Sequence, residues 1–197
     1  MEQDADRLNP ADIAALARRL GQEPIRPIVL VGMMGVGKSS VGRRLAHALS
    51  LPFVDADDAI EEAAQMSIPE IFDTYGETYF RDGERRVIQR LIADSAAGKP
   101  MIIATGGGAF VNPETRALIL DKGIAVWLDS DVDTLMERVG RKDNRPLLRG
   151  GNPREILARL RAEREPAYSQ APIKVMSGNQ PHGRTLAKVM KGIAQWL

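Results

Sequence analysis

The sequence predicts an α/β layer fold built on a mainly parallel sheet, and two observations predict it. Short apolar runs bounded by turn residues alternate with stretches of helical periodicity along the chain. Strands separated by helices rather than by hairpins pair in parallel and are covered by those helices. The second observation is the segment GMMGVGKSS (32–40), which lies between an apolar run and an amphipathic stretch. That strand–loop–helix order is the setting of a phosphate-binding loop.

Taken in order, PADIAALARRLGQEP places Ile13, Leu16, Ala17 and Leu20 at helical spacing, with Gly21 and Pro24 as stops. Residues 1–24 therefore read as an extension with a short helix, either a surface helix with no specific partner or one that packs on the domain or meets a partner. PIVLV (27–31) is a buried strand, and SSVGRRLAHAL (39–49) the helix after the glycine loop. LPFVDAD is a short strand carrying Asp55 and Asp57 at its end, and DDAIEEAAQ a helix. Ser67 and Glu70 have the capping-box spacing that starts a new helix. Gly76 is expected to break that helix, which resumes and ends at Gly98. KPMIIAT (99–105) is a strand, followed by the loop Gly106, Gly107, Gly108. Asn112 and Pro113 open a helix that Gly123 closes. IAVWLD (124–129) is a strand, DVDTLMERV a helix, and GRKDNRPLLRGGN (140–152) a charged, glycine-containing loop. PREILARLRAERE is a helix expected to end at Pro166, IKVMS the last strand and HGRTLAKVMKGIAQWL the last helix.

With 197 residues the chain is long enough for one domain with a sizeable core. Lys and Arg total 27 against 26 Asp and Glu, a net charge of +1, and aromatics are 5%. Neither figure favours nucleic acid or an acidic membrane surface as a partner. Cysteine is absent, which removes disulfides, zinc–thiolate sites and cysteine nucleophiles. The two histidines, His47 and His182, have no ligand pattern around them. No apolar run approaches a membrane span and the start, MEQDADRLNPAD, is acidic, so a soluble cytoplasmic protein is expected.

Gly32, Gly37, Lys38 and Ser39 meet G-x-x-x-x-G-K-[ST]. Glycines let backbone N–H groups turn inward around an anion, and the start of the following helix adds its positive end. Gly35, Val36, Gly37, Lys38, Ser39 and Ser40 are thus the candidate nucleotide-phosphate cradle. Lys38 would reach the β- and γ-phosphates, and Ser39 would place its hydroxyl on Mg²⁺. Met33 and Met34, at variable positions inside the loop, read as packing residues. The fingerprint G-x-G-x-x-G is absent, since the glycines stand at 32, 35 and 37.

The order GMMGVGKSSVG, DAD, FRDGE (80–84), ATGGGAF (104–110), RPLL (145–148) and EREPAY (163–168) resembles the shikimate kinase family, a branch of the P-loop kinases. The resemblance spans roughly residues 26–196. It implies a three-layer sandwich with a five-stranded parallel sheet of order 2-3-1-4-5, flanking helices and a lid. Residues 25–197 would form a single kinase domain, with a substrate-binding helical region at about 57–93 and the lid at about 140–152. The implied reaction moves the γ-phosphate of ATP to the 3-hydroxyl of shikimate, toward chorismate and the aromatic amino acids. ATP and Mg²⁺ are the implied cofactors, shikimate the small-molecule partner, and a monomer the expected state.

The resemblance also implies roles. Asp55 would hold Mg²⁺ through water beside Ser39. Asp57 would orient or deprotonate the attacking hydroxyl, and helix N-capping is the competing reading for one of the two. Arg81 and Arg164 would clamp the acceptor carboxylate, for which a guanidinium fork is suited. Gly106, Gly107 and Gly108 would meet the ring hydroxyls, a glycine standing where related enzymes keep an acidic metal-binding residue. Asp129, after AVWL, is the rival for that acidic role. Arg145 would close over the transferring phosphate. Arg138 and Pro181 would sandwich adenine. The competing functions are a gluconate kinase and a non-catalytic shikimate-sensing module of the same fold. A GTP-driven switch lacks its N-K-x-D signature here.

Overall fold

The computed structural model describes residues 9–22, 24–139, 152–178 and 182–197. Helix α1 (Pro10–Leu20) is capped by Asn9 and precedes strand β1 (Ile28–Val31). Helix α2 (Lys38–Leu49) leads to β2 (Phe53–Asp55), and α3 (Ala56–Ala64) to α4 (Ile68–Ala97). Strand β3 (Ile102–Ala104) passes through one 3-10 turn (Ala109–Val111) to α5 (Pro113–Lys122). Then come β4 (Ile124–Asp129), α6 (Val132–Val139), α7 (Pro153–Tyr168), β5 (Ile173–Met176) and α8 (His182–Trp196).

The five strands pair in parallel in the order β2-β3-β1-β4-β5. The expected sheet is therefore the observed one. Strands β1, β3 and β4 are buried along their whole length, as apolar runs covered on both faces must be. Helices α4 and α5 pack together, and α8 packs beside α2. Helix α1 joins that second pair: Leu16 and Leu20 are each 3% exposed, and Arg19 donates to the Ala194 carbonyl at 2.9 Å.

One boundary agrees with expectation and one differs. Gly76 adopts φ 79°, ψ 175°, so it breaks the helical path within α4 as expected, and helix resumes directly after it. Helix α7 runs on through Pro166 to Tyr168. A proline within a helix is tolerated when tertiary packing holds the turn, and Arg164 and Tyr168, on either side of it, are both buried. No helix among the described residues is long and apolar enough to cross a membrane. Residues 140–151, which include Arg145 and nearly all of the expected lid, and Pro181 lie outside the described residues.

Candidate active site

The site forms at the carboxyl ends of β1, β2 and β3, where ligands of open parallel sheets bind. After β1 the chain turns through Gly32 (φ 134°), Gly35 (φ 80°) and Gly37 (φ 97°). At Gly32 a side chain is impossible, because a Cβ would stand 2.2 Å from the Leu128 carbonyl oxygen. Gly37 is the N-cap of α2 and offers no side chain to its first N–H groups, and that first turn carries no acidic residue. The helix thus presents bare donors and a positive end to the loop. Lys38 folds back inside it: Nζ donates to the carbonyls of Gly32 at 2.7 Å and Met33 at 2.9 Å. Ser40 follows in the first turn of α2.

Ser39 Oγ donates to Asp55 Oδ2 at 2.6 Å. Asp55 also caps α3, accepting from the Asp57 N–H at 3.2 Å, so the capping reading holds for Asp55. The hydroxyl proton is committed to a carboxylate, which leaves oxygen lone pairs for a hard cation. No cluster of three metal-ligating side chains occurs among the described residues. A hydroxyl oxygen beside one carboxylate is a donor set that fits Mg²⁺, which takes few protein ligands and keeps waters and substrate phosphates.

Asp57 lies in the first turn of α3, beyond the strand end where the sequence placed it. Burial raises its pKa above the usual carboxylate value, the Asp55 charge adds to that rise, and Lys38 opposes it. A carboxylate held in this way has an increased appetite for a proton, as a base for a hydroxyl requires.

The glycines 106–108 are filled by the side chains around them. A Cβ on Gly106 would stand 2.7 Å from Glu84 Oε1 and 2.8 Å from Asp57 Oδ1. One on Gly107 would stand 3.4 Å from Arg164 Nη1, and one on Gly108 2.6 Å from Arg81 Nη1. The loop therefore brings together two arginines and two carboxylates that the chain carries on α3, α4 and α7. Arg164, 9% exposed, donates to the Gly107 carbonyl at 3.1 Å, and the Tyr168 hydroxyl donates to the same oxygen. Burial raises the Tyr168 pKa to about 12, so the phenol keeps its proton. Arg81 pairs with Glu84 at 2.8 Å and Glu77 at 3.0 Å.

Glu84 is the main participant that the sequence reading left without a role. It is 2% exposed, and among the described residues nothing hydrogen-bonds its Oε1. A buried carboxylate oxygen without a donor, beside Asp57, is a place for a ligand hydroxyl. The signal was present in FRDGE, where Glu84 stands one helical turn after Arg81. Ser177 was also missed. Its Oγ donates to the Val36 carbonyl at 3.0 Å, and Arg138 donates to that carbonyl at 3.1 Å and to the Gly178 carbonyl at 2.7 Å. Arg138 thus ties the phosphate loop to the end of β5. Asp129, the rival acidic residue, is held by Arg161 at 2.9 Å and Lys174 at 3.2 Å, while Asp55 stands at Ser39.

The family model described as Shikimate kinase matches residues 34–196. A shikimate kinase from Novosphingobium aromaticivorans is 64% identical over 197 residues, covering 100% of both chains. A shikimate kinase from Acinetobacter baumannii, solved in complex with shikimate, superposes with a TM-score of 0.80 at 35% identity, covering 91% of this chain and 97% of that one. A gluconokinase from Sinorhizobium meliloti shares the fold alone, at a TM-score of 0.54 and 18% identity over 89% of this chain and 95% of that one.

Proposed function

We propose a division of labour within this site from one premise: the chain belongs to the shikimate kinase family. Its reaction is the ATP-dependent phosphorylation of shikimate, and the gluconate alternative is not favoured. The residue roles below are our reading. The observation that carries them is the glycine loop 106–108, packed at once against Asp57, Glu84, Arg81 and Arg164 and lying beside the phosphate loop.

The acceptor is a ring with one carboxylate and three hydroxyls. Arg81 and Arg164 hold the carboxylate through charge-assisted hydrogen bonds. Glu84 Oε1 accepts from a ring hydroxyl. Asp57 accepts the proton of the 3-hydroxyl as its oxygen bonds to the γ-phosphorus and the bond from phosphorus to ADP breaks. The N–H groups of residues 35–40 and Lys38 hold the triphosphate, and Lys38 neutralises charge on the transferring group. Ser39 directly, and Asp55 through water, would hold Mg²⁺, which when bound offsets phosphate charge. Arg145 is assigned to the transferring phosphate, and Arg138 with Pro181 to adenine. We further infer a monomer acting in the cytoplasm, with residues 25–197 as the kinase domain.

A coupled ADP-release assay tests this reading with shikimate, gluconate or water as acceptor. ADP is expected at a high rate with shikimate only. Gluconate serving as well as shikimate would overturn it, as would release that needs no acceptor.

A further inference from the structure

Helix α7 carries three polar side chains, at positions 161, 164 and 168, on the face where Leu157 is buried. Spacings of three and seven residues put them on one face of the helix. Two of them, Arg164 and Tyr168, meet at the Gly107 carbonyl in the acceptor pocket. The third, Arg161, reaches the end of β4, where its Nη2 lies 2.9 Å from Asp129 Oδ2 and its Nε 3.3 Å from Oδ1. Asp129 is 3% exposed and is itself fixed, accepting from the Ser130 N–H at 2.9 Å.

Asp129 also reaches the pocket by a second route. Lys174 pairs with it at 3.2 Å and lies 3.9 Å over the Trp127 ring. That ring stacks on Tyr168 at 5.9 Å between centroids. Both partners of Asp129 therefore end on the residues that grip Gly107.

We propose that the Asp129–Arg161 pair is a positioning device for acceptor binding, which fixes the roll of α7 so that Arg164 and Tyr168 face the glycine loop. Leu157, buried on the same face, holds α7 to the core by apolar packing, which is non-directional; the forked contact of Arg161, one turn from Arg164, adds a directional anchor. A forked guanidinium–carboxylate contact is directional, whereas a buried ion pair adds little net stability over an apolar replacement. The pair's effect thus belongs in geometry. Arg161 is a positioning residue, since its guanidinium is committed to the sheet end. The inference rests on Arg164 serving the acceptor, as proposed above.

The test uses the full chain and four variants. Arg161→Met keeps the aliphatic stem and removes the fork, and Asp129 still has Lys174, so folding is expected to survive. Arg161→Lys restores a charge without the fork. Arg159→Met alters the solvent face of α7, where the side chain is 69% exposed. Arg164→Ala removes the carboxylate contact itself. Arg161→Met is expected to raise KM for shikimate about tenfold, with kcat and KM for ATP within about twofold. Arg161→Lys is expected to recover part of the loss, and Arg159→Met to show none. Calorimetric titration of shikimate without nucleotide should give the same order for Kd. If Arg164→Ala raises KM for shikimate and Arg161→Met does not, the positioning role is overturned alone. If Arg161→Met raises both KM values equally, general loosening replaces it. If Arg164→Ala itself leaves KM for shikimate unchanged, the reading of the pocket falls.

Discussion

Arg81 donates to Glu84 Oε2 at 2.8 Å across one turn of α4, and the carboxylate it meets is 2% exposed. The pair aims the guanidinium at the glycine loop and leaves Oε1 for a ligand. Glu84→Ala is expected to release Arg81 toward Glu77 and remove one hydroxyl contact. Loss of a buried charged contact costs about 2–5 kcal/mol. We expect kcat/KM for shikimate to fall on the order of 30-fold or more, with KM for ATP unchanged. Steady-state kinetics with each substrate varied in turn check this; an equal loss for ATP would contradict it.

Asp57 links catalysis to pH. Its pKa is raised by burial and by Asp55, so the acid limb of kcat/KM should begin above the range of an ordinary carboxylate. Asp57→Asn should remove most activity. A carboxyl whose pKa is higher folded than unfolded stabilises the fold below its unfolded pKa, near 3.8, and that contribution is lost as pH rises through the folded value. At pH 7 the ionised Asp57 is therefore a net cost. Asp57→Asn should melt higher than the parent at pH 7, and the gap should close as pH falls through the acid limb. Scanning calorimetry of both proteins across that range decides it, and a lower Tm for the variant at pH 7 would count against the burial argument.

Lys38→Met should act on kcat. The amine must leave its loop carbonyls or share them to meet the transferring phosphate, so its contact strengthens with charge in the transition state. A loss on the order of 10²–10³ in kcat is expected, with KM for shikimate little altered. Single-turnover rates check it, and a kcat near that of the parent would remove the phosphate-loop assignment.

The alternation of strands and helices could be read from the sequence because buried parallel strands are nearly uniform apolar runs, as in IVLV and IAVWLD. The phosphate loop could be read because Gly32, Gly35 and Gly37 must adopt conformations that side chains disfavour. What local pattern does not carry is tertiary pairing. Nothing near Asp129 announces that Arg161, 32 residues away, will consume its charge. Pro166 signals a helix end locally, yet the burial of Arg164 and Tyr168 carries α7 past it. Glu84 reads as a surface residue on an amphipathic helix until Gly106 is packed against it.

The two glycine loops should fail differently. Gly32→Ala sets a Cβ 2.2 Å from a backbone oxygen at φ 134°, so the sheet end itself must move. A large loss of Tm, or of soluble protein, is expected. Gly108→Ala first meets the tip of Arg81, at 2.6 Å, and its φ of −98° suits any residue. The fold should survive with Tm within about 2 °C, while the displaced guanidinium raises KM for shikimate about tenfold or more. Thermal melts and kinetics on both variants separate the cases; Gly108→Ala binding shikimate as the parent does would show that Arg81 is not aimed by this packing.

Helix α1 tests whether the residues before the sheet belong to its core. Leu16 and Leu20 are each 3% exposed and join the buried cluster between α2 and α8. Arg19 anchors the same helix to the Ala194 carbonyl, and Arg26 lies over the Trp196 ring at 5.9 Å and donates to the Asp121 carbonyl at 2.9 Å. Deleting a buried leucine side chain costs about 2–5 kcal/mol, most where neighbours cannot collapse into the gap. In a domain of this size, each kcal/mol lowers Tm by about 2–4 °C. Leu20→Ala should therefore lower Tm by on the order of 5–15 °C. Helix α1 packs on α2 and α8 and carries no site residue itself, so kcat and both KM values at 25 °C should match the parent. Arg19→Ala, with an exposed contact only, should cost little. A Tm unchanged in Leu20→Ala would mean that α1 rests on the domain without being part of its core, and a changed KM would mean that the helix reaches the site by a route its packing does not suggest.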